Sequence, residues 1–262
     1  MQLPIQFYMF AFLFGAVVGS FLNVCIFRLP KHESVVFPPS HCFNCDYIIR
    51  WYDNIPIVSY LLLGGKCRSC KTRISPQYPL VELLNGLLTL FLFLKFGPSL
   101  TFLIFFLFCS ALVVITFIDL EHQIIPDVIS LPGIGVGFLV SFFLPWLGWR
   151  NSLAGIVIGG GSLLLVAYGY HFLTKKEGMG GGDIKLLAMM GAFLGWMAVP
   201  FIIFTASLVG SVIGITLMVV QKKDSKLAIP FGPFLASAAV LYIFYGKSII
   251  FWYLSLGGTA RG

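Results

Sequence analysis

Two groups of side chains in this 262-residue chain have the types and spacing for chemistry. One is a pair of Cys-x-x-Cys motifs, Cys42 with Cys45 and Cys67 with Cys70, separated by 21 residues. The other is a pair of aspartates at the edges of apolar runs. Asp119 closes FLIFFLFCSALVVITFI, and Asp183 follows three glycines in GMGGGDIK. Thiolates from two such knuckles can converge on a tetrahedron, the arrangement zinc takes. Four protein ligands would close the site, so the metal would be structural and not catalytic. Two redox dithiols are the competing reading. His41 could replace a cysteine but needs no role, and Cys25 and Cys109 lie inside apolar runs as packing residues.

The aspartates call for different chemistry. Ionisable groups at the edge of a membrane are costly, which makes them functional candidates. Two carboxylates close together cannot both ionise easily and come to share a proton. The ionised member can then activate water while the protonated one polarises a scissile carbonyl. Gly180, Gly181 and Gly182 would let an extended substrate backbone approach Asp183. Other readings stay open. Asp119 could be a helix-end residue solvated by headgroups, and Asp183 could be an N-cap. Asp127, directly after Pro126, fits an N-cap as well as a supporting part of the catalytic loop. Glu121 and His122 read as solvated, and Lys185 would pair with Asp183 or face headgroups.

The elements that must position these groups are apolar helices. Hydrophobic residues make up 58% of the chain and charged ones 10%, with a mean hydropathy of +0.95. A soluble domain carries about 25% charged residues, so lipid must be the solvent. Eight apolar segments, at 5–27, 79–96, 100–118, 128–147, 152–173, 184–199, 201–220 and 228–252, approach the ~20 residues that cross a hydrocarbon core. The last boundary before the seventh rests on Pro200 alone. The first segment lacks a basic leader region and reads as a retained span. Of the 17 Lys and Arg residues, all but Lys95, Arg150, Lys247 and Arg261 fall in one set of loops. The positive-inside rule puts that set in the cytosol and both termini outside. The expected fold is an all-α polytopic membrane protein of about eight transmembrane helices with a small cytosolic zinc-binding loop domain. Its parts would be a first span (1–27), the four-cysteine module (28–78) and a transmembrane core (79–262). The net charge of +7 belongs to membrane orientation, so no nucleic-acid partner is expected. A transporter would carry ionisable groups near the midplane, and a zinc protease would need HExxH and an open metal position.

The segments GSFLNVCIFRLP (19–30), SVVFPPSHCFNC (34–45), DNIPIVSYLLLGGKCRSC (53–70), ISPQYPLVELL (74–84), FIDLEHQIIPD (117–127) and GMGGGDIKLLAMMGAFLG (178–195) resemble the type IV prepilin peptidases, also called leader peptidase/N-methyltransferases. The resemblance implies that Asp119 and Asp183 are the catalytic aspartates of a GxGD protease and that Cys42, Cys45, Cys67 and Cys70 form the metal module. It implies a bifunctional inner-membrane enzyme of bacteria. Such an enzyme removes the basic leader of prepilins and type II secretion pseudopilins after a glycine. It then methylates the new N-terminal amine, usually of phenylalanine, with S-adenosylmethionine. In the alternative, it is a peptidase whose zinc module is only a scaffold. Asp53, Asn54, Gly65, Lys66 and Glu82 are polar or flexible candidates for methyl transfer that turns and solvated charge would explain equally.

Overall fold

The computed structural model describes residues 3–175, 180–221 and 229–256. Among them every regular element is helical, and the β-type pairings are isolated bridges, His41 with Ile48 and Lys66 with Arg73. The chain divides into two compact units, Met1–Ile118 and Asp119–Gly262.

In the first unit α1 (Ile5–Arg28) packs on α3 (Gln77–Phe96). Small residues make the contact possible. A carbon added at Gly15 would strike the Thr89 side chain, and one added at Gly19 would lie 2.8 Å from the Glu82 Cα. Close backbones of this kind substitute for a hydrophobic drive that lipid does not supply. Asn85, buried on α3, ties three helices together. Its amide donates to the Gly15 carbonyl at 2.7 Å, and its carbonyl oxygen accepts the Ser110 hydroxyl of α4 (Leu100–His122) at 3.1 Å. Between α1 and α3 lies the cysteine module, whose one short α-helix is α2 (Val58–Leu62).

The second unit is built around α7 (Gly181–Leu194), where every residue from Leu186 to Leu194 is buried. Against it pack α5 (Asp127–Val140), α6 (Gly148–Thr174), α8 (Ala198–Gln221) and α9 (Gly232–Leu241). The α6–α7 approach is close because Gly155 and Gly191 face one another, and a side chain on either would run into the other's backbone. The Ser152 hydroxyl donates to the Ala192 carbonyl at 2.7 Å across the same seam. After α9 the chain runs through a π-helical turn, Tyr242–Gly246, into α10 (Lys247–Leu256).

All eight apolar segments become helical, but five of these helices are long and apolar enough to cross a membrane: Ile5–Lys31, Gln77–Phe96, Leu100–His122, Gly148–Thr174 and Ala198–Val220. The expected 128–147 span stops at Val140, and 184–199 stops at Leu194, each leaving 14 residues of helix. At 1.5 Å per residue that is about 21 Å, short of a ~30 Å hydrocarbon core. Hydropathy runs straight through the turns that end them. The expected break at Pro200 is also displaced. The chain turns at Gly195–Met197, and Pro200 sits in the first turn of α8, where its missing N–H leaves no hydrogen bond unmade. Outward-facing Phe10, Leu165, Phe204 and Val219 are each more than two-thirds exposed, a surface suited to hydrocarbon and not to water. The protein is a multi-pass membrane protein.

Candidate active site and metal centre

The two knuckles fold alike. In the first, the Cys42 amide donates to the Tyr47 carbonyl at 2.9 Å and the Asp46 amide to the Cys42 carbonyl at 2.9 Å. In the second, the Cys67 amide donates to Thr72 and the Lys71 amide to Cys67. In each, the residue after the second cysteine is left-handed, Asp46 at φ 52° and Lys71 at φ 61°. The four sulfurs come to lie within 4.8 Å of one another, with Cys42–Cys70 at 3.7 Å and Cys45–Cys67 at 4.0 Å. Sulfurs about 2.3 Å from one zinc ion stand about 3.8 Å apart at tetrahedral angles, so the donor set fits zinc. Disulfides are absent. The Thr72 hydroxyl, then the Thr72 backbone and the Asn44 side chain, bring the Cys70 thiol down to about 5, while Cys42 beside it is pushed up to about 11, so one proton is held within the sulfur cluster until a metal displaces it.

The methyl-transfer candidates fall into two groups. Asp53, Asn54 and Glu82 serve as braces. The Asp53 carboxylate, whose side chain is 4% exposed, takes Arg68 of the second knuckle at 2.6 Å. Asn54 accepts the Ser20 hydroxyl of α1 at 3.3 Å. Glu82, buried on α3, accepts the Ile57 amide at 2.7 Å and so holds the left-handed residue that opens α2. Gly65 and Lys66 instead line an open cleft of ≈ 630 Å³ together with Tyr60, Gly64, Arg73 and Ser75.

In the second unit Asp119 lies in the last turn of α4 and is buried. Its Oδ2 accepts the backbone amide of Gly232 at 2.9 Å. Gly232 opens α9, so the positive end of that helix points at the carboxylate. A methyl group at 232 would stand 2.6 Å from Oδ2, which restricts the position to glycine. Asp183, in the first turn of α7, is close enough for its carboxyl and that of Asp119 to repel each other. An amide can only donate, so Asp119 Oδ2 presents a lone pair to it. Any proton the two carboxyls share rests on Asp119 Oδ1 or on Asp183.

Neither Asp183 nor Asp127 caps its helix through its side chain; the N-caps are Gly180 and Pro126. Lys185 does not pair with Asp183. Its Nζ binds both Asp127 oxygens, at 2.7 and 2.8 Å. The glycines differ among themselves. Space is open around Gly180 and Gly181, but a carbon added at Gly182 would meet the Ile125 side chain at 2.8 Å. Gly182 is therefore needed for packing against the α4–α5 connection, and only the two before it leave room for a substrate. Glu121 and His122 are exposed at the end of α4, 3.8 Å apart. Sequence reasoning missed Gly232, which is 113 residues from Asp119. Its only signal was a glycine and a proline opening an apolar run. Gly178 lies outside the described residues.

Comparison with known proteins covers both units. A model described as the type IV leader peptidase family matches residues 106–215, and one described as the bacterial peptidase A24 N-terminal domain matches residues 13–96. A Pseudomonas aeruginosa protein named prepilin leader peptidase/N-methyltransferase is 38% identical over 278 residues, covering 97% of this chain and 96% of that protein. Proteins of the same name from Pseudomonas putida (36% identical; 94% and 93% covered) and Aeromonas hydrophila (38%; 97% and 96%) are similar over their whole lengths. No solved structure matches the chain.

Proposed function

Because this chain belongs to the type IV leader peptidase family, we propose that it cleaves prepilins with the Asp119–Asp183 pair and methylates the new N-terminus with S-adenosylmethionine. The observation that carries the reading is a buried carboxyl pinned by the Gly232 amide, with a second carboxyl near enough for their charges to interact. That asymmetry assigns roles. Asp119, held by a donor at the head of α9, is the ionised partner, and Asp183 holds the shared proton. Asp119 takes a proton from water as the water oxygen bonds to the scissile carbonyl carbon, and Asp183 gives its proton to the carbonyl oxygen. When the tetrahedral species collapses, the C–N bond breaks. The departing amine takes the proton from Asp119, and the hydroxyl proton returns to Asp183.

The loop charges of the sequence support an inner-membrane enzyme with both termini periplasmic and the aspartates at the cytosolic face. There a substrate's apolar helix lies in the bilayer and presents its basic leader junction to Gly180 and Gly181. Prepilins and pseudopilins share that design. S-adenosylmethionine, when bound, supplies an electrophilic methyl group. The cleft of ≈ 630 Å³ is of the size small cofactors occupy. Lys66 and Arg73 bring cations to it for a carboxylate, and Gly64 and Gly65 leave it shallow. The accepting α-amine, with an ordinary pKa near 8, needs little help to lose its proton. Cys42, Cys45, Cys67 and Cys70 would hold zinc as a structural ion that fixes the cleft's walls, since residues Lys66 and Arg73 flank the second knuckle. The test is purified protein incubated with a prepilin and labelled S-adenosylmethionine, with cleavage and methylation read separately. A shortened pilin carrying label supports the reading. An intact prepilin under conditions where the protein stays folded would overturn it.

A further inference from the structure

The α4–α5 connection and the start of α7 touch at three successive levels. Asp119 lies near enough to Asp183 for their charges to interact, Ile125 packs on Gly182, and Asp127 binds Lys185 through both oxygens at 2.7 and 2.8 Å. The first level brings together two carboxyls that repel each other whenever both are ionised. The second is a contact of one aliphatic side chain with bare backbone. The third is an attractive, directional link between the two segments, and it lies two residues beyond Asp183. The link is also electrically balanced. A helical residue two places on does not share a face with Asp183, but an unpaired charge there would still act on the dyad through poorly screened surroundings.

We propose that Asp127 and Lys185 are positioning residues for the peptidase reaction: a neutral clamp that holds the Asp183 turn against Asp119 while adding no net charge beside the pair. This rests on the reading of Asp119 and Asp183 as the catalytic dyad. The other charged or titratable groups on the elements around the dyad are few. The end of α4 has Glu121 and His122. Among the described residues the α6 helix has Tyr168, Tyr170 and His171 in its last turns, Lys175 at its C-cap and Arg150 at its opposite end. The α8 and α9 helices have none. The clamp is thus the ion pair closest to Asp183 among the described residues of α5 and α7, and its balance contributes to the field at the dyad.

The sign of that field makes the clamp testable by pH profile. Asp127→Asn leaves the Lys185 cation unbalanced. It favours ionised carboxyls in the dyad, so both limbs of the cleavage profile move to lower pH. Lys185→Gln leaves the Asp127 anion, disfavours ionisation, and moves both limbs to higher pH. A shift of about half a pH unit in each direction is expected for a partly solvated charge two residues away on another face of the helix. Asp127→Asn with Lys185→Gln restores charge balance, so the limbs return to their original positions while the rate stays reduced for want of the clamp. The exchange Asp127→Lys with Lys185→Asp should recover part of the rate. The assay is prepilin cleavage by full-length variants in lipid, with Asp183→Asn run alongside. Opposite shifts that cancel in the double variant support the proposal. Limbs that stay fixed in both single variants, or move the same way, overturn it and leave the pair a fold-stabilising bridge. Cleavage by Asp183→Asn at the original rate would overturn the dyad reading itself, whatever the other variants do.

Discussion

Asp119 and Asp183 were visible in the sequence because each is a charge set at the border of an apolar run, and such charges are expensive. The four cysteines were visible because two Cys-x-x-Cys knuckles in one polar loop specify their own local turn. What completes the aspartate site was not visible. Gly232 meets Asp119 across 113 residues, and nothing in its neighbourhood names a partner. The partner of Lys185 was not visible for a related reason: the sequence left it between Asp183 and the headgroups, whereas the helix turns it toward Asp127. Gly232 yields a direct prediction. Gly232→Ala places a carbon 2.6 Å from the Asp119 oxygen on a helix start that cannot easily retreat. The carboxylate must move by a good fraction of an ångström, and a misplacement of about 1 Å can cost about a hundredfold in rate. Cleavage should fall by about that factor with the thermal midpoint little changed, measured by prepilin turnover and melting of the purified protein.

At the scale of elements, hydropathy located every long apolar helix but not where two of the segments turn, because it cannot see a turn made of apolar residues. Residues 141–147 and Gly195–Met197 interrupt segments that read as continuous. The consequence is that α7, the helix carrying Asp183, is short and enclosed by protein on its C-terminal two-thirds. Its seat depends on the Gly155–Gly191 approach. Gly191→Leu would force α6 and α7 apart in a buried seam, where overpacking costs about 1–3 kcal/mol or more. The expected result is a lower melting temperature together with loss of cleavage, unlike the Gly232 variant, which separates the two. The cysteine module makes its own prediction. The purified protein should carry about one zinc per chain, and Cys67→Ser with Cys70→Ser should abolish it. Elemental analysis showing full metal content in that variant would remove the four-sulfur assignment.

For the molecule as a whole, the proposed chemistries divide between the two compact units. The metal centre and the basic cleft belong to Met1–Ile118, and both aspartates belong to Asp119–Gly262. If the cleft is the methyl-transfer site, loss of zinc should reduce methylation more than cleavage, and equal loss of both would make the module a scaffold for the entire enzyme. The converse experiment bears on the central claim most directly, because it separates the dyad from everything else the protein does. Asp119→Asn keeps the shape of the side chain and the acceptor for Gly232 but removes the base. A general base contributes about 10²–10⁴-fold. The variant should therefore cleave a prepilin at least about a hundredfold more slowly while methylating a synthetic mature N-terminus at the unaltered rate. Cleavage by Asp119→Asn at the rate of the original protein would contradict the account.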